Sequence, residues 1–307
     1  MTSDRSRFQP QDLHWHEDLP ERDASEMDAP DIRDDFLSID DVSLELSRAS
    51  SLLRGVLLAF GVVGMLGALS LMSIFSSDFS RDFDQDAIFT LLLMAAVVAL
   101  MVFNFLLIRI DSAISLGMPV RFNRRIGKVF VYHHWHTWNP FGRWPATIKE
   151  FDWDTVHAEL TRQAGFSGKA YIVRYALFLV SCKPGTTEVV DRIQLKGNVV
   201  TTAGLRATWA YCRHFMEHGR VGLPEYPVKK PGANFWHSLF FYMPWFDPTE
   251  EGRAFRRDLP AIGWFIAAIT TPLFWILLPF GLCHYIVMRV APEPSWPPEI
   301  DARSRGA

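Results

Sequence analysis

The sequence predicts an α+β membrane protein: a transmembrane helical hairpin, an antiparallel β-sheet domain with a C-terminal helix, and a third membrane helix. Three observations lead there. Two runs of about twenty apolar residues flank a short polar connection, each long enough at ~1.5 Å per residue to cross a ~30 Å hydrocarbon core. Short β-rich runs separated by turn residues follow, and then give way to apolar residues at helical spacing. A further long apolar stretch lies near the C-terminus, and 49% hydrophobic residues with 14% aromatics is a high content for a chain solvated by water alone.

Residues 1–50 hold 14 Asp and Glu against 5 Lys and Arg, a formal −9, whereas the remainder holds 20 against 26, or +6. Such a polar, acidic stretch is expected to be a disordered tail, with Phe36-Leu37-Ser38-Ile39 as a short docking segment. The chain does not open on a basic start with a short apolar run, so the insertion signal is expected further in.

Residues 51–110 form the predicted hairpin. Its spans run from Leu52 to Phe75, interrupted by Arg54, and from Ala87 to Ile110, with Asn104 as the strongly polar interior residue. Gly61, Gly64 and Ala68 share one face of the first helix, and Ala95, Ala96 and Ala99 cluster on the second. Small residues let helices approach closely, which suits packing within the hairpin or a homodimer through the same face. Arg48 and Arg54 before the first span, and Arg109, Arg121, Arg124, Arg125 and Lys128 after the second, place both flanks in the cytoplasm.

Residues 111–220 are read as a cytoplasmic β-rich domain. Pro119 to Tyr132 reads as a β-hairpin turning at Gly127, Ala170–Cys182 and Glu188–Leu195 are strands about the turn 183–186, and Thr147–Leu160 supplies at least one more. Leu205, Trp209, Cys212 and Phe215/Met216 recur at helical spacing, with Thr201 or Thr202 at the start and Gly219 at the end. A sheet followed by one amphipathic helix resembles, in architecture, a split barrel of the pleckstrin-homology type. That resemblance implies recognition of a protein or headgroup more than catalysis.

Residues 221–259 include the aromatic run Asn234 to Phe246, expected to lie in the membrane interface. The third segment, 260–290, contains Pro272 and Pro279. A single crossing would leave the tail 291–307 outside, while the prolines also allow a re-entrant arrangement.

Several motifs could carry chemistry. His134 and His136 would share a strand face in Tyr132-His-His-Trp-His-Thr-Trp138, but spacing offers no further metal ligands, so a packed aromatic edge is the preferred reading. Asp152-Trp153-Asp154 matches the short D-x-D pattern of nucleotide-sugar sites, without a βαβ domain or Gly-rich loop to support it. No nucleophile elbow, P-loop or HExxH motif occurs, and Cys182, Cys212 and Cys283 are isolated. Neither a cofactor nor a metal is expected. Arg121, Arg124, Arg125 and Lys128 are explained by positive-inside topology, or by contact with anionic lipid headgroups or an acidic partner. A nucleic-acid partner is not expected.

The stretch PVRFNRRIGKVFVY at 119–132 and the tryptophan-rich residues after it, set behind a transmembrane hairpin, resemble a family of bacterial membrane proteins encoded beside type VI secretion effectors. The resemblance covers roughly residues 50–250. It implies an inner-membrane immunity protein that binds a secreted effector, with Trp135, Trp138 and Arg143 as candidate contact residues. A membrane enzyme using the His/Trp segment or Asp152/Asp154, and a secretion accessory or lipid-binding protein, are the alternatives.

Overall fold

The computed structural model describes residues 5–305 apart from 23, 25–28, 33–35, 49–53, 80–86, 135–144, 168–169, 225 and 227–233. Trp135, Trp138, Arg143 and His136 therefore lie outside the described residues.

Among the described residues, nine strands form two antiparallel sheets. Strands β1 (Trp15–Asp18), β2 (Phe36–Ile39) and β3 (Ser43–Leu46) precede helices α1 (Val56–Phe79) and α2 (Ala87–Ala113). Then come β4 (Val120–Asn123), β5 (Lys128–His134), β6 (Ala146–Asp152), β7 (Val156–Ser167), β8 (Ala170–Cys182) and β9 (Val189–Val199). The five-stranded sheet runs β2-β3-β4-β5-β6 and the four-stranded sheet β1-β7-β8-β9. Apolar residues alternate along β4, β5, β7 and β8, so that Val120 and Phe122, Val129 and Val131, Val156, Ala158 and Leu160, and Leu177 and Leu179 all enter one core between the sheets. Each such side chain contributes about 1.5–3 kcal/mol on burial. The stretch expected to give at least one strand at 147–160 breaks into β6 and β7, in different sheets, joined by a 3₁₀ turn at Trp153–Thr155.

Helix α3 (Ala203–His218) presents the predicted face: Leu205, Trp209, Cys212, Phe215 and Met216 are all buried. It stops at Gly219, whose φ of 75° is strained for residues with a Cβ. Thr202 opens it through its carbonyl, which accepts from the Leu205 and Arg206 N–H groups, and not through its side chain.

The acidic N-terminal segment is not the disordered tail its composition suggests. Phe8, Leu19, Ile32, Phe36, Leu44 and Leu46 are buried, β1 pairs with β7, and β3 pairs with β4. Its carboxylates match the basic excess of the rest of the chain: Glu17 pairs with Arg206, and Glu45 lies 3.1 Å from Arg121. Opposite formal charges of the two parts are thus complementary, which a count of acidic residues in one segment cannot reveal.

Helices α1 and α2 pack along Gly61, Gly64 and Ala68. A Cβ at Gly61 would meet Ile108, and one at Gly64 would meet the Asn104 side chain. The small-residue face of α1, read from the sequence as suited to packing within the hairpin or to a homodimer, lies against α2. On α2 the inward residues are Val97, Asn104 and Asp111, while Ala95, Ala96 and Ala99 are exposed.

After α3 come α4 (Phe235–Leu239), α5 (Glu250–Asp258), α6 (Ala261–Thr270), α7 (Phe274–Val290) and α8 (Pro298–Arg305). Among the described residues, three helical stretches are long and apolar enough to cross a membrane: Val56–Ser76, Ile88–Ala113 and Ala261–Val290. The last described residues pack against the sheet domain. Leu116 donates to the Pro292 carbonyl, and α8 packs on β4, where Asn123 donates to the Ser304 carbonyl at 2.7 Å.

Candidate functional site

Of the basic residues singled out in the sequence, Arg121 is a structural lock. It is 1% exposed, donates to Asp301 at 2.7 Å, to Glu45 at 3.1 Å and to Ser304 at 2.5 Å, and lies 4.4 Å over the Trp296 ring. Burial raises the Asp301 carboxyl, but hydrogen bonds and charge from Arg121 and Arg305 outweigh it and hold the group below the usual carboxylate range. Arg121 is thus unavailable to a headgroup or partner, because desolvating a guanidinium demands paired acceptors, and these come from residues 76 and 180 positions away. Lys128 binds Glu150 at 2.5 Å and lies 3.4 Å from Asp152. Arg124 donates to the Glu217 carbonyl at the end of α3, and Arg125 sits exposed on the same turn.

That turn marks the end of the domain remote from the helical hairpin, and a cleft of about 300 Å³ opens in the same region. Glu21, Arg22, Trp153, Asp154, His157, Arg213 and Glu217 line it. Trp153 is its apolar wall, backed by Trp209 at 5.5 Å and Phe122 at 6.0 Å. Arg22 donates to the Trp153 carbonyl and pairs with Asp154 at 3.0 Å; Arg213 donates to the carbonyls of Arg22 and Ala24. Burial, then the charges of Arg22 and Arg7, push the His157 imidazole below its ordinary value, so it is neutral at pH 7. The two aspartates of the D-x-D pattern part company: Asp154 joins the cleft, and Asp152 neighbours Lys128. Among the described residues no group of three or more His, Cys, Asp or Glu is placed to hold a metal ion. Charges of both signs around an indole suit a polar protein loop better than a single anion. Glu21 and Arg22 lie on one loop, His157 on β7, and Arg213 and Glu217 one turn apart on α3, so only the last pair has a spacing that a sequence reading could detect.

A second constellation ties the open end of the hairpin together and to the aromatic segment on α7. Arg54 donates to the carbonyls of Asp111, Ile114 and Ser115 at 2.9–3.1 Å, satisfying the open end of α2. The Asp111 carboxylate accepts from the Gly55 and Leu58 N–H groups at 2.8 and 3.0 Å, closing the start of α1. The Tyr242 hydroxyl donates to the Arg54 carbonyl, Phe241 stacks on His284 at 4.2 Å, and Gly281 admits the backbone of Leu239. The aromatic segment is thus packed on α7. Arg48, which donates to Met118, Tyr132 and Gln194, ties both sheets to the linker after α2; burial pushes its guanidinium down to about 10, still charged at neutral pH.

Fold and site define a class: a mixed α+β protein with three helical stretches able to cross a membrane, a two-sheet domain attached to their end, and a mixed-charge cleft at the domain's far end. The chain belongs to DUF6708, a family of unknown function, which it matches over residues 97–307. No curated protein and no solved structure matches it.

Proposed function

We propose that this protein is an inner-membrane interaction protein whose sheet domain, on the cytoplasmic side, binds and neutralises a type VI secretion effector. The observation that carries the binding role is the fixed placement of the domain. It is tied to the ends of the apolar helices through Arg48, which binds both sheets and the linker after α2, through the Leu116–Pro292 bond and through α8 on β4, and the indole-walled cleft is presented at the opposite end. A rigid platform loses little entropy on association, and tethering raises its effective concentration at the membrane. The partner's class comes from the resemblance of residues 119–132 and their tryptophan-rich continuation.

Deleting the gene should sensitise cells to sister cells that deliver the neighbouring effector, and expression in trans should restore survival. In the complementing copy, reversing the rim charges with Asp154→Arg and Glu217→Arg should weaken effector binding by about tenfold or more, at unchanged membrane levels. Unchanged survival of the deletion strain, with effector delivery demonstrated, would overturn the immunity reading.

The orientation follows the basic flanks of the hairpin. Reporter fusions at Ser77 and Gly185 should give periplasmic and cytoplasmic signals respectively. We infer further that the third segment enters and leaves on one side. Charged α5 follows Tyr242 and Asp247 beside the junction, α8 lies on the sheets, and each charge taken into hydrocarbon would cost about 2.5–3.5 kcal/mol. Cysteines at Glu250 and Ala302 should react with an impermeant reagent from the same face; labelling from opposite faces would restore a single crossing.

A further inference from the structure

We propose that the β7–β8 hairpin is a membrane-dipping element, with Phe166 and Tyr171 seated among anionic phospholipid headgroups beside the helices. This rests on the membrane placement of α1 and α2 given above.

The two strands outrun their neighbours. Pairing of β1 with β7 ends at Trp15↔Thr161, and pairing of β9 with β8 ends at Tyr175↔Val199, yet β7 and β8 remain paired as far as Ser167↔Ala170. At ~3.3 Å per residue the ribbon projects roughly 17–20 Å beyond the sheet. Its register sorts the side chains by face. Arg162 pairs with Tyr175, Ala164 with Val173 and Phe166 with Tyr171 on one face; Gln163 pairs with Arg174 and Gly165 with Ile172 on the other. Phe166 and Tyr171, directly opposite one another, are 73% and 63% exposed. An aromatic tip with arginines set back from it is the composition of a segment that partitions to the bilayer interface, rings at the headgroup level and guanidinium groups towards phosphate.

The direction of the ribbon selects the occupant. Arg124, on the turn remote from the hairpin helices, touches the C-terminal end of α3, so the beginning of α3 lies at the helix-proximal end of the domain. That beginning follows directly on β9, whose Val199 is the last partner of β8 before the ribbon runs free. Further back on β9, the Gln194 carbonyl accepts from Arg48, a few residues ahead of α1. The tip therefore points towards the level of the apolar helices, the side on which a bilayer would lie, and away from the cleft.

The test uses the full chain in lipid nanodiscs containing phosphatidylglycerol, with Cys283→Ala leaving the buried Cys182 and Cys212 in place. An environment-sensitive dye is placed at Phe166→Cys, at Thr186→Cys on the opposite turn, or at Leu66→Cys on the exposed face of α1. Quenching by lipids with brominated chains should be about twofold or more stronger at position 166 than at 186, with blue-shifted emission, and should weaken when phosphatidylcholine replaces phosphatidylglycerol. Equal quenching at 166 and 186, with strong quenching at 66, would overturn the proposal and leave the tip to a protein partner. Absence of quenching at 66 would instead overturn the membrane placement on which it rests.

Discussion

Replacing Asp111 with alanine should abolish accumulation of the folded protein, or lower its melting temperature in detergent more than any change on the surface. The carboxylate is 4% exposed and closes the first turn of α1 by accepting two backbone N–H groups. Removing it strands both donors, at about 1–3 kcal/mol for each buried unsatisfied group, and withdraws a negative charge near the buried Arg54. Asp111→Asn keeps one oxygen acceptor and should fall between alanine and the native protein. Gly55→Ala should be similarly damaging by a different route: its φ of 86° disfavours a Cβ, and that Cβ would meet the His284 backbone. Thermal unfolding of the purified variants by near-UV circular dichroism measures all three. A stable, native-like Asp111→Ala protein would show that the junction does not hold α1, α2 and α7 together.

Substituting Arg121 with leucine should release the C-terminal helix. One side chain holds Asp301, Ser304, Glu45 and the Trp296 ring against β4, and losing one partner of a buried charge network costs about 3–5 kcal/mol. Limited proteolysis should then cut between Pro292 and Pro298 at concentrations that leave the native chain intact. The lock has a defined pH dependence. Because the folded Asp301 carboxyl sits below its unfolded value, its contribution is complete above the unfolded pKa near 4 and disappears as the pH falls through the lower folded value. Protection of the tail should therefore be flat from pH 8 to about 5 and lost only in stronger acid. Loss of protection near pH 6 would assign the lock to another group.

Elements whose signals are local could be read from the chain. The β4–β5 turn at Gly127, the whole of β8, and the buried face of α3 each repeat a two- or 3.6-residue period within a short window, which needs no knowledge of neighbours. The corner at Trp153–Thr155 was hidden because a strand that changes sheets keeps its apolar alternation on both sides of the bend. Apart from Phe36–Ile39, read as a docking segment and found as β2, the N-terminal strands were hidden for a different reason. They are short, and their carboxylates look like those of a solvated segment until Arg206 and Arg121 are found opposite them.

By itself the sequence determined that this chain has three helical stretches able to cross a membrane and a sheet domain with one amphipathic helix, since length, apolar content and period are properties of contiguous residues. Only the tertiary structure decided that the acidic segment completes both sheets, that Arg121 binds the C-terminal helix rather than the surroundings, and that Arg22, Trp153, His157 and Arg213 share a cleft. Each of these depends on a charge or an apolar face finding its complement far along the chain, 76 residues away for Glu45 and Arg121, 131 for Arg22 and Trp153, and 180 for Arg121 and Asp301. The energy of such a pairing resides in geometry and desolvation, and neither is written in the spacing of residues along the chain.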